Sequence, residues 1–288
     1  MRTMIGTFDA RARLRSVGCV ATLLALGSCT IIDRQAPADA EPSAGCGGVD
    51  HPSQGLERFT LEVDGDPRSY WLRVPDGYDP NFPFPLALMF HGAGGDGPSL
   101  YDYDGMVEQA ALDAILVYPD ALLAPTDLTA WIAQPGSRDI AFIKALLASV
   151  PADYCVDSSR IVLAGHSSGA SMASEAACEL GPSRLRAFAG FAGNPVLAED
   201  CAGPVDAWLG HATNDPQVPY GQGTQLRDRW LEENGCQDSS SSTAQSGCVR
   251  YACSGAELEW CEPDTFEDVA HDWPSFAAER IWALLREG

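Results

Sequence analysis

The sequence predicts an α/β domain, a mostly parallel central sheet flanked by helices on both faces. Three observations predict it. Short continuous apolar runs, the mark of strands buried on both sides, recur after residue 55. Stretches of helical periodicity separate them, so strand and helix alternate along the chain. The 288 residues are 45% hydrophobic and carry no internal repeat, which suits one such domain or two small ones.

The elements follow in order. Residues 58–63 and 69–74 read as an antiparallel pair around Asp64-Gly65-Asp66. The runs 85–90, 114–118 and 160–164 are apolar throughout, and strands at 185–191 and 205–209 follow. Helices are expected at 100–112, 138–150, 168–180, 221–234 and 273–286. Residues 249–253 and 256–261 form a hairpin turned at Ser254-Gly255, and the serines at 239–242 form a solvated surface loop.

Lys and Arg number 18 against 40 Asp and Glu, a formal charge of −22. Phosphate recognition needs a basic surface, so nucleic acid is excluded as a partner. Arg2, Arg11, Arg13 and Arg15 precede a short apolar run at 17–26, which reads as an export signal. It closes on Leu26-Gly27-Ser28-Cys29, which resembles a bacterial lipobox with Cys29 as the lipidated residue. The expected organisation is a signal peptide over 1–28, a flexible tether over 29–54 and a catalytic domain over 55–288. The membrane is then met only through the N-terminal lipid.

Eight of the ten cysteines remain once Cys19 and Cys29 are set aside, an even count that implies disulfides in an exported chain. In the hairpin register Cys248 faces Cys261 on a non-hydrogen-bonded pair, where side chains sit closer. That predicts a Cys248–Cys261 bridge, with Cys236–Cys253 beside it. Cys46, Cys155, Cys178 and Cys201 stay unassigned. No cysteine spacing matches a zinc site, so no metal is expected.

Gly165-His166-Ser167-Ser168-Gly169 is a G-x-S-x-G sequence placed between a predicted strand and a predicted helix. This is the context in which a tight turn projects a nucleophilic hydroxyl, here Ser167. A serine needs a base. The expected chain order is nucleophile, acid, histidine, which removes His51, His91 and His166. His211 ends a predicted strand with no plausible acid between it and the helix it would need to follow. His271, in a loop before the last helix, is the base. Asp215, in the loop after strand 205–209, is the acid; Asp206 lies too early and Asp268 too near His271. The loop His91-Gly92-Ala93-Gly94-Gly95 follows strand 85–90 and supplies one oxyanion donor from Ala93, with Ser168 as the second. It lacks the Lys-Ser/Thr ending of a phosphate loop, and no dinucleotide fingerprint opens a helix, so no cofactor is expected.

With these residues in place the chain resembles the α/β-hydrolases of the poly(3-hydroxybutyrate) depolymerase / feruloyl esterase group, from about Tyr70 to Trp282. The ordered pieces are His91–Gly95, Tyr118-Pro119-Asp120, the segment 139–142, Val156-Asp157, Gly165–Gly169, the segment 211–215, Asn234-Gly235-Cys236 and the segment 271–274. Ala93, Ala170 and Ala270 depart from the residues common there, each a small residue for a small one.

The resemblance implies an α/β-hydrolase fold. It implies an exported serine carboxylic-ester hydrolase acting on ferulate-type or related cell-wall esters, with a polyester depolymerase as the alternative. A peptidase and a non-catalytic binding protein of the same fold are the more distant readings. Trp131 and Trp273 are the candidate substrate-stacking rings, packing of the last helix being the equal alternative for Trp273. The substrate is an ester, small or polymeric, and oligomeric state is open.

Overall fold

The computed structural model describes residues 16–18, 30–32, 36–110, 113–124, 127–262 and 271–286. The expected signal peptide lies outside these residues except where β1 (Ser16–Gly18) pairs with β2 (Thr30–Ile32), and Cys29 lies outside them. Among the described residues no helix is long and apolar enough to cross a membrane.

The chain then forms β3 (Glu57–Val63), β4 (Asp66–Arg73), β5 (Phe84–Phe90), α1 (Gly97–Tyr103), α2 (Met106–Ala110), β6 (Ile115–Pro119), α3 (Arg138–Asp153), β7 (Val156–His166) and α4 (Ser168–Leu180). After these come β8 (Ala187–Phe191), β9 (Asp206–Gly210), α5 (Tyr220–Glu233), β10 (Cys236–Ser242), β11 (Cys248–Cys253), β12 (Leu258–Cys261) and α6 (Ala277–Arg286). Ten strands make one sheet in the order β10-β11-β12-β9-β8-β7-β5-β6-β4-β3. Pairing is parallel from β6 across to β12 and antiparallel at both margins.

The continuous apolar runs have a physical reason. Along β5, Leu86, Leu88 and Phe90 face one core while Ala87 and Met89 face another. Ile143 of α3, Ala173 of α4 and Trp230 of α5 fill the first core; Leu100 of α1, Met106 of α2 and Ile281 of α6 fill the second. Both faces are therefore covered, as parallel strands require. At the β3–β4 turn, Asp64 (φ 52°) and Gly65 (φ 89°) both take left-handed backbone, which suits a two-residue hairpin.

Five sequence expectations need correction. The helix expected over 100–112 is broken: Gly105 has φ 73°, and the Asp104 carboxylate takes the Met106 N–H that opens the next helix. The serine loop at 239–242 belongs to β10, an almost fully exposed edge strand held by main-chain pairing with β11. The last helix begins at Ala277, after Pro274, and leaves Trp273 in the preceding loop. Cys248 faces Cys261 as the register requires, but Ser254 and Gly255 bond to Gly235 and Asn234 at the end of α5 instead of closing a two-residue turn.

The tether is also shorter than expected. Glu41 N–H donates to the Asp157 carboxylate at 2.9 Å, Gly45 N–H to Pro151 O at 2.9 Å, and Cys46 is bonded to Cys155, so the chain is docked from about residue 41. The other bridges are Cys178–Cys201, Cys236–Cys253 and Cys248–Cys261. Four disulfides place folding in an oxidising, extracytoplasmic compartment.

Candidate active site

The loops that leave the carboxyl ends of β5, β7 and β9 meet His271, which lies shortly before α6. The sharpest leaves β7. Ser167 sits between β7 and α4 with φ 55° and ψ −120°, a conformation costly for a residue with a side chain. Its flanking glycines make the turn possible. A Cβ on Gly165 would lie 2.3 Å from the Gly169 carbonyl, and one on Gly169 would lie 2.1 Å from Phe90 O. The turn is tied down by Ser167 N–H donating to Phe191 O at 2.9 Å.

The structure brings Ser167, His271 and Asp215 together across 104 and 56 residues of chain. His271 Nε2 is 3.0 Å from Ser167 Oγ, and His271 Nδ1 is 2.7 Å from Asp215 Oδ2. With Nδ1 protonated toward the carboxylate, Nε2 is left to accept from the serine hydroxyl. Burial alone would push the Asp215 carboxyl up. The His271 hydrogen bond and the N–H groups of Val218 and Gln217 more than offset it, and the carboxyl falls below its ordinary value. Asp206 stands at the opposite end of β9 and pairs with Arg186 at 2.6 Å. Asp268 lies outside the described residues.

Ser168 is the first residue of α4, so its N–H is one of the open donors of a helix start. Ala93 is exposed at the tip of the loop after β5, between His91, which is buried, and Gly94, whose N–H is taken by Thr129 O at 2.7 Å. The arrangement suits a hydroxyl attack on a carbonyl whose oxygen lies against those two N–H groups. The one cluster with metal-ligand spacing among the described residues, Cys248, Glu259 and Cys261, has both sulfurs in a single disulfide.

The chain is 33% identical over 233 residues to a probable feruloyl esterase C of Aspergillus niger, covering 78% of this chain and 79% of that one. It is 32% identical over 244 residues to feruloyl esterase C of Emericella nidulans, covering 81% and 83%. The chain belongs to the feruloyl esterase family. No protein-family profile matches it. Among solved structures, an acetyl xylan esterase from Aspergillus awamori superposes with a TM-score of 0.60 at 14% identity, covering 79% of this esterase and 99% of that chain. A ferulic acid esterase from Anaeromyces mucronatus gives 0.56 at 18% identity, covering 88% and 93%. These likenesses show the α/β-hydrolase fold.

Of the two tryptophans proposed from sequence, Trp131 presents no open stacking face in this esterase. Trp131 is only 6% exposed, packs edge-on against Phe90 and donates to His91 O at 2.9 Å. Trp273 is half-buried, donates to Asp104 O at 3.2 Å and packs edge-on to His166. Both brace the loops of the site.

Three histidines set aside as bases also surround it. His166 donates from Nε2 to the main-chain carbonyl of His271, and burial drops its imidazole to about 4. His91 accepts Ala121 N–H at Nε2 and donates from Nδ1 to Gly92 O at 2.7 Å, which holds the loop that carries Ala93. His211, fully buried, places Nε2 2.9 Å from Val218 O and 3.4 Å from Asp215 Oδ2. Gly223 makes room for it, since a Cβ there would lie 2.1 Å from its Nδ1. Burial lowers the imidazoles of His91 and His211 as well, so both remain neutral props. The signal for His166 was its place inside the motif; for His211, its place four residues before the acid.

Proposed function

We propose that the protein is an exported serine esterase that cleaves ferulate-type or related cell-wall esters. The observation that carries the reading is the hydrogen-bonded chain from Ser167 Oγ through His271 to Asp215, set on a strained strand-to-helix turn. Ser167 Oγ attacks the ester carbonyl while His271 Nε2 takes its proton. The N–H groups of Ala93 and Ser168 hold the oxyanion. His271 then protonates the departing alcohol, and water activated by the same imidazole releases the acid and restores Ser167. Asp215 keeps the imidazole in the required tautomer and stabilises it when charged. The aromatic acid is supported by the names of the relatives above. Cys29 is proposed as the lipid attachment point, on the strength of Leu26-Gly27-Ser28-Cys29. Incorporation of a labelled fatty acid that Cys29→Ser abolishes is the expected result.

The test of the reaction compares methyl ferulate, a short-chain p-nitrophenyl ester, a 3-hydroxybutyrate oligomer and a matched amide. Ser167→Ala should cost about 10⁴-fold or more in kcat on every ester turned over. Preference for ferulate supports the proposed substrate class. Preference for the oligomer replaces it with polyester degradation, and comparable amide turnover replaces it with a peptidase. Full turnover by Ser167→Ala refutes the mechanism.

A further inference from the structure

We propose that His211 is a positioning residue for the reaction: it fixes the Asp215 oxygen that meets His271 and moderates the hold of that oxygen on the charged imidazole. The proposal rests on the serine-esterase reading and gives the acid a second imidazole partner. His211 follows β9 directly, and its main-chain N–H donates to Cys261 O at the end of β12 at 3.1 Å. Its side chain is fully buried, with Nε2 2.9 Å from Val218 O. A carbonyl only accepts, so Nε2 carries the proton and Nδ1 the lone pair. Nδ1 has no partner, and Gly223 of α5 closes it in, since a Cβ there would stand 2.1 Å away. A second proton would find no acceptor at Nδ1, so the ring stays neutral. Tyr220 of α5 meets the ring edge-on at 6.2 Å and sends its hydroxyl to Glu262. The charged groups that act on the ring are Asp215 and His271.

The acid loop closes through the same residues. Val218 gives its N–H to Asp215 Oδ1 at 2.9 Å and its carbonyl to His211. Gln217 N–H adds a second bond to Oδ1 at 2.8 Å. Oδ1 is therefore committed to the loop, and Oδ2 is left for His271 Nδ1 at 2.7 Å. His211 Nε2 lies 3.4 Å from that same Oδ2. Its N–H donates to Val218 O, yet the positive end of the bond stands beside Oδ2. The side chains of His211 and Asp215 are both 0% exposed, so little solvent screens this contact.

Two effects follow. By holding Val218, His211 keeps Asp215 from turning Oδ2 away from His271. By placing a partial positive charge beside Oδ2, it weakens the grip of the carboxylate on the imidazolium that forms when Ser167 gives up its proton. The imidazolium then passes that proton to the departing alcohol more readily. A leucine at 211 would fill the core without a buried unpartnered nitrogen, but it would do neither.

The test uses the full chain with His211→Leu, which removes the N–H, and His211→Gln, which carries an amide N–H near the place of Nε2. kcat/KM for p-nitrophenyl acetate is measured from about pH 5 to 9, beside Ser167→Ala, with urea unfolding to show that each variant is folded. His211→Leu should lose about tenfold in kcat, and the acid limb of its profile should move up by about half a pH unit. His211→Gln should restore the limb and most of the rate. A merely structural role lowers stability and rate but leaves the limb in place, so an unmoved or lowered limb in folded His211→Leu overturns the proposal. Nitrogen NMR of the wild-type chain decides the point independently of any variant. His211 should carry its proton on Nε2 and remain uncharged at about pH 6, where an ordinary imidazole is mostly protonated. An Nδ1 proton or a charged ring overturns the proposal. Full turnover by Ser167→Ala overturns the esterase reading and this proposal with it, whereas Ser167-dependent turnover with an unmoved limb overturns the role of His211 alone.

Discussion

His166 offers a prediction in which stability and acid sensitivity are tied to one proton. The side chain is 8% exposed and sits among His271, Asp272 and Asp215. Burial is the largest influence on it and lowers its pKa from 6.5 to about 4, against the pull of the hydrogen bond to the His271 carbonyl. The unfolded chain therefore takes this proton first as pH falls. Stability linked to the neutral ring is complete above pH 6.5 and is lost progressively down to about 4. A shift of that size corresponds to roughly 3 kcal/mol. His166→Gln has no proton to gain and can keep an N–H directed at the His271 carbonyl. Equilibrium urea unfolding with disulfides intact, at pH 7, 6, 5 and 4, should show the wild-type chain losing about 3 kcal/mol relative to the Gln variant. A gap constant to within about 0.5 kcal/mol across that range refutes the linkage. His166→Leu removes the donor and strands a buried carbonyl, at about 1–3 kcal/mol. Because that carbonyl belongs to His271, the proposed base, kcat should fall about tenfold with KM nearly unchanged, and Gln should recover most of it.

Two further substitutions probe the frame around the site. Gly169→Ala drives a Cβ to 2.1 Å from Phe90 O and 2.6 Å from His91 O, so either the elbow or the oxyanion loop must move. Turnover should collapse and unfolding stability should fall by about 1–3 kcal/mol or more, and wild-type values in both assays would show that the turn tolerates the methyl. Cys46→Ser opens a bridge that spans 109 residues and ties the N-terminal segment to Cys155, the residue before β7. A loop that long is worth about 4–5 kcal/mol in the chain-entropy account. The thermal midpoint should drop by on the order of 10 °C, and a change within about 2 °C would mean that the hydrogen bonds at Glu41, Ser43 and Gly45 suffice alone.

The parts of the fold that could be read from residues are those where burial dictates residue type. β5, β6 and β7 are apolar because two cores press on them, and α4 starts at Ser168 because the elbow permits no other start. β10 escaped notice for the opposite reason. Its residues face solvent on an edge, so main-chain pairing and the Cys236–Cys253 bridge hold it and no hydrophobic alternation records it. The break after α1 was hidden because residues on both sides of Gly105, such as Leu100 and Met106, still face the same core. The N-terminal segment has the composition of a tether, yet a few main-chain bonds and one disulfide dock it.

The same distinction separates the chemistry of the site from its recognition surface. The proposed triad of Ser167, Asp215 and His271 is legible because an elbow, a loop after β9 and a loop before the last helix each admit few residues able to do that work. Recognition has no comparable constraint on type. Aromatic rings in nearby loops suggest Trp131 and Trp273; burial closes off Trp131, while Trp273 is half-buried with its N–H held by Asp104 O. A change in reaction would require the elbow, the acid loop and the base loop to move together.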